Sequence, residues 1–187
     1  MRSILFPIAT FLVVLLLALS SCQPIDPIIP NEEEVITSLV YTLTPAGGGT
    51  PVVFSISDPD GDGGNAPTIT NGVLQANKTY NGVITLFNET ESPVEPIHQE
   101  VLAEGVEHQL FFENTLDSVA IAYADQDANG QGIGLQTTFT TGVAEQGTLK
   151  VILRHEPNKT AAGVAIDNAT PAGGETDIEV TFDVDIQ

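Results

Sequence analysis

Tryptophan is absent from this chain, cysteine and methionine occur once each, and there are only five lysines and arginines against 25 aspartates and glutamates. One cysteine excludes an internal disulfide framework and a cysteine-rich zinc site. So few cations, with a formal charge of −20, exclude nucleic acid and anionic membrane surfaces as partners and favour cations. Long helical periodicity is missing too, which excludes helix bundles and alternating βαβ units. There is no Gly-x-Ser-x-Gly elbow, His-Glu-x-x-His pair or phosphate-cradling loop, so no recognised catalytic motif points to an enzyme.

The one long apolar run is N-terminal. Met1-Arg2-Ser3 carries a single positive charge, Phe11 to Leu19 is unbroken apolar sequence, and Ser20 and Ser21 follow. Charge, apolar stretch and small residues, in that order, form a secretory signal. The run is shorter than the about 20 residues a membrane-spanning helix needs. Leu19-Ser20-Ser21-Cys22 resembles the lipobox of bacterial lipoproteins, which implies cleavage before Cys22, diacylglycerol on its thiol and acylation of the new amine. That explains a lone cysteine in an exported chain. Two or more acyl chains, at about 0.8 kcal/mol per buried methylene, make a stable anchor. Cleavage removes residues 1–21 and leaves 166 residues, enough for one core without disulfides.

Residues 22–34 read as the lipidated cysteine and a spacer. Pro24, Pro27 and Pro30 recur at the polyproline II period, so the segment would hold a domain some 35–40 Å from its lipid. Glu32, Glu33 and Glu34 are expected to stay solvated at its end.

From residue 35 to 187 the dominant period is two. Val35, Thr37, Leu39, Tyr41 and Leu43 alternate with polar residues, as do Val52, Phe54 and Ile56. Thr68–Thr70 is a short strand, Asn71-Gly72 a hairpin signal, and Tyr80–Phe87 a strand with Asn81-Gly82 as a bulge candidate. Ile97–Ala103 reads as a helical turn or an edge strand. Val119, Ile121 and Tyr123, then Leu135 to Thr141, then Leu149 to His155 continue the alternation. In the last strand Ile178, Val180, Phe182, Val184 and Ile186 face one way, and Asp177, Glu179, Thr181, Asp183 and Asp185 the other. Eight to ten short strands of this kind predict an all-β fold: a single antiparallel β-sandwich, immunoglobulin-like or similar. Thr-Pro-Ala-Gly-Gly occurs at 44–48 and again at 170–174, either a duplicated hairpin or one good turn used twice.

Two loops share half of a calcium-binding pattern. Asp58, Asp60 and Asp62 with Gly63, and Asp125, Asp127 and Asn129 with Gly130, place oxygen donors at positions 1, 3 and 5 and glycine at 6. The bidentate glutamate of position 12 is Ile69 in one and Gln136 in the other, so a site would need a donor from elsewhere in the fold. Asp-Gly and Asn-Gly are also ordinary turn formers. His98, His108 and His155, with Glu100, Glu107 and Glu156, are candidate transition-metal ligands without local ligand spacing. His155 shares a face with core residues and reads first as structural.

Thr44 to Pro51, the Asp58–Pro67 loop, Leu86 to Pro93, Leu153 to Lys159 and Gly173 to Val180 together resemble a family of small acidic lipoproteins of Gram-negative bacteria, often labelled "type 1 periplasmic binding fold superfamily protein". The label's fold name implies two α/β lobes, whereas the period-two pattern implies an all-β module. The resemblance brings no established activity. The expectation is a non-catalytic, lipid-anchored binding or accessory module at the outer membrane, on its periplasmic side or at the cell surface. It would be calcium-stabilised at the two loops and would support ligand uptake alongside an outer-membrane receptor. The alternative is a structural or adhesive surface lipoprotein without a small ligand.

Overall fold

A computed structural model describes residues 34–61 and 64–187. Cys22, the spacer up to Glu33, and Asp62 lie outside the described residues. Among the described residues no helix is long and apolar enough to cross a membrane.

Among the described residues the chain forms ten strands and one short α-helix. They are β1 (Ser38–Pro45), β2 (Val52–Ser57), β3 (Thr68–Thr70), β4 (Val73–Leu74), β5 (Thr79–Phe87), α1 (Ile97–Ala103), β6 (His108–Asn114), β7 (Ala120–Tyr123), β8 (Gln136–Thr140), β9 (Glu145–His155) and β10 (Glu175–Ile186). They make two sheets, one of six strands in the order β3-β2-β1-β5-β8-β7 and one of four in the order β4-β10-β9-β6. Every pairing is antiparallel except that of β4 with β10, which is parallel.

The core lies between the sheets because the longer strands each turn one apolar row inward. Leu39, Tyr41, Leu43, Phe54, Ile84 and Leu86 from the larger sheet are buried with Leu110, Phe112, Leu149, Val151, Phe182 and Val184 from the smaller. Aromatic pairs bridge the layers: Tyr41 to Phe112 at 5.6 Å between ring centres, and Phe54 to Phe182 at 5.7 Å. Such offset and edge-on contacts add to simple area burial. Phe111 and Ile152 point the other way and are buried under Ala169 and Ala172.

Four expectations change. Val35 is exposed and β1 begins at Ser38. Asn71-Gly72 does not close a hairpin but carries the chain from the six-stranded sheet to the four-stranded one. A Cβ at Gly72 would collide with the Val52 side chain, and Asn71 accepts a hydrogen bond from the Asp183 amide. Asn81-Gly82 is not a bulge, since β5 pairs without interruption on both sides. Gly82 is needed instead because a Cβ there would lie 2.7 Å from the Tyr41 ring, whose hydroxyl bonds Thr137 Oγ1 at 2.7 Å. The repeated Thr-Pro-Ala-Gly-Gly adopts two structures: a turn after β1 at 44–48 and a 3-10 turn at Thr170–Ala172 before β10.

Candidate functional site: a buried histidine and carboxylate cluster

The strands of the smaller sheet bring two of the three histidines together. His108 opens β6, His155 closes β9, and the two are direct cross-strand partners. Their rings lie 4.8 Å apart. Cross-strand neighbours share a face at about this spacing, although 46 residues separate them in sequence. His155 does lie on the core-facing row of β9, but it stands at the end of that row beside charged groups.

A carboxylate reaches the pair from β10. Strict alternation puts Asp177 on the exposed acidic face, yet the β9–β10 register shifts between Thr176 and Ile178, and the Asp177 side chain is fully buried. A bulge adds one residue to a strand and re-aims a side chain while the flanking alternation is kept. Asp177 Oδ1 stands 3.8 Å from His155 Nδ1.

The fourth member is Glu34, expected in the solvated spacer. Its side chain is instead only 4% exposed, with Oε1 2.8 Å from His108 Nε2 and Oε2 3.6 Å from His155 Nδ1. Glu34 is therefore packed against the two histidines rather than solvated. Burial works against the Glu34 charge, but the His108 imidazole beside it holds the carboxyl below its usual range. Burial likewise works against charge on His108, and the Glu34 contact overrides it, raising that imidazole above its ordinary value.

The donor atoms of Glu34, His108, His155 and Asp177 all lie within 4.8 Å of one another. Glu34 also groups with Glu100 and Glu104 at the end of α1. Burial, then repulsion from Glu104 and Glu34, raises the Glu100 carboxyl. His98 is elsewhere, its Nδ1 3.0 Å from the Leu86 carbonyl and its ring edge-on to Phe87. Glu107 and Glu156 do not join the group; their backbones bond each other.

The aspartate loops take a different form. Asp125 accepts amide hydrogen bonds from Gly134 and Gln136, both at 2.8 Å. Asp127 accepts from the amides of Asn129 and Gln131 and, at 2.9 Å, from the Lys159 ammonium. That ammonium also donates to the Gly105 carbonyl. The ammonium thus meets one of the three expected calcium donors, Asp127, and Asn129 contributes its backbone amide. In the other loop Asp60 accepts from the Asn65 amide and side chain.

Charge is divided unevenly between the outward faces of the two sheets. The row of each strand that points away from the core in the six-stranded sheet comprises threonine, serine, valine, alanine, asparagine, glutamine and one phenylalanine. Thr42, Val53, Val83 and Thr138 lie near its centre, and none of these strand residues is charged. The outward face of the four-stranded sheet carries Lys150, Arg154, Glu179, Asp183 and Asp185.

No family model, curated protein or solved structure matches the chain.

Proposed function

We propose that this chain is a lipid-anchored, non-catalytic binding or accessory module at the outer membrane. It stands on its Pro-rich spacer and uses the uncharged face of the six-stranded sheet to hold a protein partner, as a subunit alongside an uptake receptor would. The observation that carries the reading is the segregation of charge. In a chain of 25 acids, random placement would put several on a broad sheet face. Over the rest of the surface an acidic neighbour is repelled; at this face it is not. Six strands about 4.8 Å apart and roughly 20 Å long offer on the order of 500 Å², or about 1,000 Å² over both partners, enough for a modest specific contact.

The non-catalytic part rests on the site. Donors that are 0–5% exposed in their side chains suit a closed fastening point better than a reaction centre, which keeps an open position. Calcium stabilisation belongs to this proposal at the Asp58 loop; the Asp125 loop already holds Lys159.

Photo-crosslinking in intact cells tests the reading. A crosslinker at Val83 is expected to give one adduct of defined mass with an outer-membrane protein, and one at Glu179 none. Equal labelling at both positions, or none at Val83, overturns it. An adduct of twice the chain's own mass would identify self-association and favour the structural alternative.

A further inference from the structure

We propose that Glu34, His108, His155 and Asp177 form a binding site for one divalent transition-metal ion of the zinc type. The inference rests on the cluster being a fastening point, and independently of any partner at the sheet face. Three features of the geometry point to it.

The first is spacing. His155 Nδ1 lies 3.6 Å from Glu34 Oε2 and 3.8 Å from Asp177 Oδ1, too far for hydrogen bonds. Metal–ligand bonds of about 2.0–2.1 Å in a tetrahedron separate the ligands by roughly 3.3–3.4 Å. These two gaps are close to that edge length, and the 2.8 Å between His108 Nε2 and Glu34 Oε1 would widen to it on metal binding.

The second is the tautomer of His108. Its Nδ1 lies 3.3 Å from the Glu104 carbonyl, which only accepts, so Nδ1 carries a proton. A neutral ring then turns its Nε2 lone pair toward the Glu34 carboxylate at 2.8 Å. That arrangement needs a positive centre. An imidazolium supplies one; a metal bound by Nε2 supplies it as well. A carbonyl-bonded Nδ1–H is the usual outer contact that orients a metal-binding histidine.

The third is charge. Two carboxylates, with side chains 4% and 0% exposed, face two imidazoles here. Two neutral imidazoles, two carboxylates and one divalent cation sum to zero. The mixed nitrogen and oxygen set favours zinc, copper or nickel over calcium, which takes oxygen donors. All four donors come from this chain: three from neighbouring strands of one sheet, and one from the residue where the spacer meets the domain. A bound ion would therefore clasp residues 34–37 to β6, β9 and β10.

The test uses the full chain in detergent, stripped with chelator and titrated with zinc alone, then with cobalt(II) as a spectroscopic probe. The expected result is one equivalent of zinc, a rise of several degrees in the thermal midpoint, and visible cobalt absorption of a four- or five-coordinate site bleached by zinc. Calcium in excess is expected to displace neither. Asp177→Asn and His155→Gln should lose saturable binding while keeping the wild-type far-ultraviolet dichroism. Because a variant can fail by unfolding, the wild-type cobalt spectrum stands by itself. An octahedral hexaaqua-like spectrum, or zinc binding unchanged in both folded variants, overturns the proposal and leaves the cluster as imidazolium–carboxylate pairs. Neither result bears on crosslinking at Val83, so the two proposals fail separately.

Discussion

Lys159 and Asp127 show how a single side chain can stand in for a ligand. The pair is almost wholly buried, at 4% and 1% side-chain exposure, and truncating one member of such a pair leaves a charge without its counter-ion. Lys159→Met is expected to cost roughly 3 kcal/mol in urea unfolding. Burial opposes the Asp127 charge, but the ammonium and two amides hold its carboxyl below the ordinary value. The folded pKa is lowered, so its contribution is present above the unfolded pKa of about 4 and is lost as pH falls below it. Wild type is therefore expected to lose more stability than Lys159→Met between about pH 5 and pH 3, measured as the difference between their unfolding midpoints. Asp125 works by capping two amides, and Asp125→Ala is expected to lower stability by about 1–2 kcal/mol equally in calcium and in EDTA. A loss seen only in calcium would show that this loop does bind the ion. In the Asp125 loop a structured turn was legible, although Asp125 and Asp127 bond different groups rather than one point. The ammonium was not, because Lys159 is 32 residues from Asp127 and nothing local ties them.

At the level of the strands, alternation was a reliable guide wherever a strand stayed regular. Leu39, Tyr41 and Leu43, or Val180, Phe182 and Val184, needed only the period of two to be placed in the core. It failed at Asp177, since a bulge changes facing without leaving a compositional mark. It failed at Asn71-Gly72 too, where the dipeptide specifies a tight bend but not which sheet receives the next strand. The candidate site was hidden for the same reasons. His108 and His155 were visible as ligand types, but their partnership depends on the β6–β9 register, Asp177 on a bulge, and Glu34 on the docking of an apparently solvated residue. Gly82 gives a test at this level. A methyl group there must displace the Tyr41 ring or Thr137, so Gly82→Ala is expected to destabilise by about 1–3 kcal/mol. If the substitution is neutral in a denaturant melt, the Tyr41–Thr137 contact does not set the β1–β5–β8 packing.

In the whole molecule as proposed, Cys22 would be the anchor and residues 23–33 the spacer for an acidic sandwich with one uncharged sheet face and a buried cluster at Glu34. Cys22→Ala is expected to move the protein from the membrane fraction to the soluble fraction without changing the thermal midpoint of the domain. Retention in the membrane would instead mean that residues 1–21 are not removed, or that a partner alone holds the protein there. The most direct measurement is the metal content of the full chain purified from its own membranes without chelator, beside Asp177→Asn prepared in the same way. About one equivalent of a zinc-type metal is expected in the wild type, and loss of that equivalent in the variant. Equal, substoichiometric metal in both would contradict it, and the cluster would then be held by protons.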